Sequence, residues 1–506
     1  MTYRKALLIS LLSVSAGSNA LVLNNAEANP TVPFVTANDN GAPLMKSTDP
    51  GAEKYRTVGK FVGYSHCTAT LISGENTPSS NTPALILTAG HCVDSNVGTN
   101  DVIVDQPAEA HWEFTPDYFI DKKDNLTPIK VNRVLYSTMK KEDIAVLQLD
   151  ATYGDLAKKG YHPMKLKKNL DMKNQPIVLT HIPVDNVDYN YAYLRKSECN
   201  ITGKSPVLYE GGSPWIWSPV FSVNCAGVVG GTSGSPVFEK DQINVIGVLN
   251  TTTTPGMTGC GSSRPCVIED NKGVPAEGAS YFIPVDNIAN ALTKDSKLEL
   301  SKLQNNSGNI VERSNPWSSW ISQSVDPMNG EIAKWDIIIK EGADAKSIRY
   351  KTGLISKVNC ADEAGYSASI PVEQNPLVDM LLPKKDGIYK LCVIHQNKAG
   401  QWQNTKDASV VLREIDNTPP TIKPILNVKD YGGDKWFITV TSKPYELTAA
   451  YVKYGPKAET NCDDKDGYSP FWRPITLDKS KAPWRMCTYG EDMARNAGPI
   501  DIHEIK

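Results

Sequence analysis

Gly230-Gly231-Thr232-Ser233-Gly234-Ser235-Pro236 is the stretch on which the reading of this chain turns. A glycine-rich turn is common and by itself implies nothing. A serine flanked by glycines is also what a nucleophile requires. Gly231 lets the backbone point an N–H inward, and Gly234 lets a substrate approach without a side-chain clash. Two upstream segments give that serine a context. Leu87-Thr88-Ala89-Gly90-His91-Cys92 sets a histidine beside a cysteine, and Asp143-Ile144-Ala145-Val146-Leu147-Gln148-Leu149 opens an alternating apolar strand with an aspartate. Each has a bland alternative: a structural residue next to a disulfide, and a charge at a strand end. Together they place His, Asp and Ser in one chain order.

That order is the one used by the chymotrypsin class. The region of about Tyr55–Leu292 resembles the trypsin/chymotrypsin-like serine peptidases, with Cys67-Thr68-Ala69-Thr70-Leu71-Ile72 ahead of His91-Cys92 completing the pattern. Arg56-Thr57-Val58-Gly59-Lys60, close before Cys67, is more similar to the bacterial glutamyl-endopeptidase-like branch than to the animal digestive enzymes. The resemblance implies Ser233 as nucleophile, His91 as general base and then acid, Asp143 as the group orienting it, and a Cys67–Cys92 bridge. It also implies a chymotrypsin-like double β-barrel with the site in the cleft between barrels. The strand pattern alone reads only as mainly β.

The chemistry is sound without the family. A serine hydroxyl is a poor nucleophile at neutral pH, so a neutral imidazole must accept its proton. An ordinary imidazole titrates near pH 6.5, suited to that task. The N–H groups of Gly231 and Ser233 are the candidate oxyanion donors. An α/β-hydrolase is excluded because its histidine follows the serine within one domain; here only His395 and His503 follow Ser233. Thr232 stands where the digestive branch has an aspartate that pairs with a new N-terminus, so activation by that salt bridge is not expected. Gly227 takes the place of the trypsin pocket acid. Val228 and Val248 take the places where glutamate-cleaving relatives carry a threonine and a histidine. With Thr252 and Ala279 as candidate walls, an apolar, small-to-medium pocket is expected.

Residues 1–20 read as a secretory signal: Arg4 and Lys5, the apolar run Ala6–Ala16, then Ser18-Asn19-Ala20. The run is shorter than the ~20 residues needed to cross a bilayer, so no membrane anchor is expected and the protein reads as secreted, extracellular or periplasmic. The ten cysteines, 67, 92, 199, 225, 260, 266, 360, 392, 462 and 487, fit an oxidising compartment. They can pair in about 945 ways; sequential pairing, Cys67 with Cys92, Cys199 with Cys225, Cys260 with Cys266, Cys360 with Cys392 and Cys462 with Cys487, is the simplest. No Cys/His spacing suggests a metal, and no cofactor is expected. His66, His111, His162 and His181 read as surface or core residues. Asn125, Asn200, Asn250 and Asn305 lie in glycosylation sequons.

The chain has 506 residues and a net charge of −3, enough for two to four domains and without the basic footprint of a nucleic-acid partner. Residues 21–54 read as a propeptide or flexible N-terminal arm and 55–296 as the peptidase domain. That domain closes with a helix over Val285–Leu292, for which Asp286 is the candidate N-cap. Residues 297–315 read as an irregular linker. Beyond it Asn359-Cys360-Ala361-Asp362-Glu363-Ala364-Gly365-Tyr366-Ser367 recurs as Asn461-Cys462-Asp463-Asp464-Lys465-Asp466-Gly467-Tyr468-Ser469. Two copies of about 95 residues, 316–415 and 416–506, suggest small immunoglobulin-like β-sandwiches, joined at Asn417-Thr418-Pro419-Pro420. Trp215 and Trp217 read as core or as a substrate-binding loop. The leading function is a secreted serine endopeptidase acting on proteins or peptides, with C-terminal modules that bind a surface or matrix ligand or act as spacers. The alternative is an inactive homologue acting as an adhesin.

Overall fold

The computed structural model describes residues 41–506 apart from 95, 169–171, 173, 206, 213, 241, 255–256, 258, 277 and 443–445. The expected signal and the first part of the expected propeptide lie outside the described residues.

Short β-branched and aliphatic runs separated by turn residues form two closed barrels. In the first, β1 (Val58–Val62), β2 (His66–Ser73), β3 (Pro83–Thr88), β4 (Glu113–Thr115), β5 (Ile129–Thr138) and β6 (Ile144–Thr152) pair in the ring β1-β2-β3-β6-β5-β4. In the second, β7 (Pro176–His181), β8 (Arg195–Ser205), β9 (Val220–Val223), β10 (Pro236–Glu239), β11 (Val245–Thr252) and β12 (Ser280–Pro284) close as β7-β8-β9-β12-β11-β10. Closure leaves no free strand edge, and inward residues such as Leu85, Leu87, Val146 and Phe282 are fully buried. The double barrel expected from the resemblance is thus the observed fold.

A five-stranded sheet flanks the barrels, in the order Lys272–Pro275, Cys266–Glu269, Leu208–Glu210, Trp215–Trp217 and Lys140–Lys141. Its last member comes from the connection between β5 and β6, so it straps the first barrel to the second.

All five disulfides follow the sequential pairing. Cys67–Cys92 closes a separation of 25 residues, worth roughly 3 kcal/mol in the chain-entropy account.

Three expectations change. Residues 41–54 are built into the fold rather than forming a loose arm. Met45 N–H donates to Leu194 O at 2.9 Å, Arg195 Nη1 donates to Ala42 O at 2.7 Å, and Met45 and Ala52 are buried in the first barrel's core. The segment 297–315 packs too. Leu303 and Asn305 are buried, Tyr136 Oη donates to Asn305 O at 2.8 Å, and Val311–Arg313 pairs with Ile337–Ile339. A polar composition hid this, because its side chains are satisfied by partners far away in sequence. The closing helix runs Asp286–Ala291 with Val285 at the N-cap position, so Asp286 is the first helical residue and its charge suits the helix N-terminus. Among the sequons, Asn250 and Asn305 are buried, whereas Asn125 and Asn200 are exposed.

The C-terminal repeat is realised at atomic detail. Ser347–Leu354 pairs with Gly387–Gln396 so that Lys351 faces Cys392, and Ala449–Pro456 pairs with Trp484–Glu491 so that Lys453 faces Cys487. In each copy the tyrosine of the motif donates to the carbonyl of its first cysteine at 2.9 Å, Tyr366 to Cys360 and Tyr468 to Cys462. In each copy two sheets share one apolar core.

Candidate active site

Ser233 lies on the turn between β9 and β10. The turn is pinned to the first barrel through Thr68, the residue after Cys67. Thr68 N–H donates to Ser233 O at 2.8 Å and its hydroxyl donates to Gly231 O at 3.2 Å. Gly231 and Gly234 both have positive φ, +93° and +82°, a region that costs little only for glycine. A Cβ on Gly231 would meet Val184 at 2.5 Å, and one on Gly234 would strike Thr68 O and Thr88 Oγ1. Gly234 therefore admits the wall of the first barrel rather than a substrate, a correction to the expectation. Among the described residues, neither the N–H of Gly231 nor that of Ser233 donates to another protein atom.

His91 is carried by the short turn Gly90–Cys92 after β3, and the Cys67–Cys92 bridge ties that turn to β2. Asp143 precedes β6 and is fully buried. Its Oδ2 is 2.6 Å from His91 Nδ1, and its Oδ1 accepts the His91 backbone N–H at 2.9 Å. This two-point grip leaves His91 Nε2 as the free ring nitrogen, and the ring faces the same cavity as Ser233. No hydrogen bond of 3.5 Å or less joins Ser233 Oγ to the ring among the described residues; such bonds are often long until substrate binds. Burial opposes the charged imidazolium, but the charge and hydrogen bond of Asp143 and the field of Glu210 outweigh it, so the His91 pKa is raised.

The loop that carries Asp143 is itself caged. Glu142, buried beside it, accepts from Tyr136 Oη at 3.1 Å and from the amides of Asn287 and Asn305.

The shared cavity has a volume of about 290 Å³. Of the expected pocket residues, Val228 and Thr252 line it and Gly227, Val248 and Ala279 do not. Val248 turns into a barrel core and Ala279 packs on the Trp217 cluster. Trp215 and Trp217 form a strand rather than a loop. Both line the cavity, and their rings stack with centroids 6.2 Å apart.

The cavity wall is largely apolar but carries a carboxylate. Glu210, at the end of the strand Leu208–Glu210, lines it beside His91 and Ser233. Its Oε2 accepts from Thr251 Oγ1 at 2.5 Å and its Oε1 from Ser263 N–H at 2.8 Å. Burial raises its pKa, against those two hydrogen bonds. No lysine, arginine or histidine nitrogen among the described residues makes an ion pair with it. The expected apolar pocket gains a carboxylate, because Glu210 reaches the site from a strand remote in sequence. The only local signal was a carboxylate ending the apolar run Val207–Tyr209 before Gly211-Gly212, which any strand end can show.

Cys67, His91 and Cys92 cluster closely enough to suggest a metal. Both sulfurs are consumed in the disulfide, and the ring nitrogen nearest a carboxylate is engaged by Asp143, so this donor set does not fit one. His181 is buried and bonded to Ser197 Oγ at 3.2 Å, away from the cavity.

Residues 67–248 match the family model described as trypsin-like peptidase domain. His91, Asp143 and Ser233 all lie within the matched residues. No curated protein matches the chain. Two solved structures are similar: a thermostable serine protease, AL20, from an extremophilic microorganism (14% identity, TM-score 0.30, 46% of this chain and 92% of that one), and the protease Anisep from Arthrobacter nicotinovorans (13% identity, TM-score 0.30, 45% and 90%).

Proposed function

We propose that the chain is a secreted serine endopeptidase that cleaves proteins or peptides through His91, Asp143 and Ser233. The observation that carries this reading is the convergence of a carboxylate-bound imidazole and a serine on one cavity, with the N–H groups of Gly231 and Ser233 undonated on the turn that bears the serine. Ser233 Oγ attacks the scissile carbonyl while His91 Nε2 takes its proton. Asp143 holds the tautomer and stabilises the imidazolium. The N–H groups of Gly231 and Ser233 meet the oxyanion. His91 then returns the proton to the leaving amine, and water, deprotonated by the same ring, releases the acyl group and restores Ser233.

Glu210 refines the substrate class. A buried carboxylate that makes no ion pair is costly, and a lysine or arginine side chain flanking the scissile bond would relieve that cost. We therefore assign a preference for a cationic residue next to the cleavage site. The five disulfides support an oxidising compartment. The expected leader supports secretion, and the lead-in Arg56–Lys60 supports the glutamyl-endopeptidase-like branch without its specificity. The paired sheets and repeated disulfides support immunoglobulin-like modules. Because residues 41–54 are packed into the barrel, any maturation cleavage is assigned upstream of them.

Labelling by a fluorophosphonate probe, with hydrolysis of a peptide library, tests the reading. Both signals are expected in the wild type and lost in Ser233→Ala. Absence of both in the folded wild type would leave the inactive-homologue reading.

A further inference from the structure

The flanking sheet has two faces with different owners. Side chains alternate along a strand, and on Leu208–Glu210 this sends Glu210 to the catalytic cavity and Tyr209 to the opposite side. On its neighbour, Trp215 and Trp217 line the cavity while Ile216 points with Tyr209. The face of Tyr209 and Ile216 is covered by the first C-terminal sandwich. Both residues are buried in one cluster with Trp320, Ile388 and Val410, and the rings of Tyr209 and Trp320 meet edge to face at 5.4 Å.

Polar contacts lock the same junction. Lys140 and Asp407 are both buried, with Nζ 2.6 Å from Oδ1. Lys140 comes from the connection that leads to Asp143, and its backbone registers with Ile216 in the flanking sheet. Its predecessor Met139 lines the cavity. Asp407 is held by the Ser307 N–H at 3.0 Å, and Lys141 Nζ donates to Lys406 O. The Asn100 side-chain amide pairs in both directions with the Val410 backbone, at 2.8 and 2.7 Å.

From this arrangement we propose that the first sandwich is a working part of the peptidase site. Asp407 and Trp320 are positioning residues: Asp407 fixes the Met139–Asp143 connection through Lys140, and Trp320 fixes the strand pair that presents Glu210 and Trp217. The inference rests on the serine-peptidase reading and differs from a spacer or ligand-binding role, since the sandwich forms the outer layer of a sheet whose inner face is the cavity wall. Misplacing such a wall by about 1 Å can cost up to a hundredfold in rate.

The test uses the full chain. Asp407→Asn keeps the shape and removes the charge partner of Lys140; Trp320→Ala opens the shared core. Hydrolysis by the wild type and its loss in Ser233→Ala establish the underlying reading separately. In both variants, measured below their melting temperatures, kcat/KM for an extended peptide amide is expected to fall on the order of tenfold or more. In Trp320→Ala the rate of labelling by a small fluorophosphonate, which does not span the wall, should change much less, whereas in Asp407→Asn, which acts on the connection bearing Asp143, it should fall with kcat/KM. Amide hydrogen exchange across Leu208–Trp217, followed in the Ser233→Ala background, should speed up in Trp320→Ala, a readout independent of hydrolysis. If Asp407→Asn does not fold, Trp320→Ala alone decides. Lower melting temperatures with unchanged kcat/KM and unchanged exchange at Leu208–Trp217 would overturn the proposal.

Discussion

Tyr209 and Glu210 are neighbours in sequence that serve opposite sides of one sheet: Tyr209 packs on Trp320 of the first sandwich, and Glu210 faces the cavity of His91 and Ser233. One residue step converts a packing contact into an electrostatic one, because the side-chain period of a strand is two.

Substitution Glu210→Gln tests both roles of that carboxylate. Its negative charge is among the factors that raise the His91 pKa, so removing it lowers that pKa. The base form of His91 then persists to lower pH, and the acidic limb of kcat/KM should move to lower pH. In the same variant, preference for a lysine or arginine beside the cleavage site should drop by about tenfold, equivalent to ~1.4 kcal/mol. A pH–rate profile and a library cleavage profile read the two effects.

Gly231→Ala should cost rate without unfolding the barrel. A Cβ there meets Val184, and the φ of +93° resists a side chain, so the turn must shift and carry its N–H with it. Loss of one oxyanion donor lowers kcat about 10²–10³-fold. Steady-state kinetics with KM within a few-fold of wild type is the expected signature.

Burial lowers the pKa of His181 to about 3, helped by the charge of Arg195. Between that value and the ordinary imidazole pKa of 6.5, the unfolded chain binds a proton that the folded chain excludes. Stability therefore falls as pH drops below about 6.5, by roughly 1.4 kcal/mol per unit from this group. Chemical denaturation from pH 7 to pH 5 should show the loss, with a shallower slope in His181→Gln.

The N-terminal segment is expected to be structural. Met45 is buried in the first barrel's core, and Met45→Ala should cost about 2–5 kcal/mol. A chain starting at residue 55 should melt well below one starting at 41, as differential scanning calorimetry would show.

Much of this was legible in the sequence, and the reasons are local. The residues around His91, Asp143 and Ser233 carry short-range signatures: a histidine bracketed by a half-cystine, a strand with a carboxylate at its head, a serine between glycines. The recurrence of Asn359–Ser367 at Asn461–Ser469 pointed to one disulfide in each copy, while the Tyr–Cys hydrogen bond of each copy emerged only in the structure. Reading failed where meaning came from remote partners. Leu303 and Asn305 look like linker residues until Glu142 and Tyr136 are placed against them, and Met45 looks like part of a loose arm until β8 is beside it.

The amino-acid order alone determined the alternation that makes strands, the turns between them, and which three side chains were chemically matched. Only the tertiary structure decided that Glu210 enters the cavity in place of Gly227, Val248 and Ala279, and that Lys140 meets Asp407. The physical reason is that a charge acquires its function from the dielectric and the partners around it, and barrel closure brings those from segments far away along the chain.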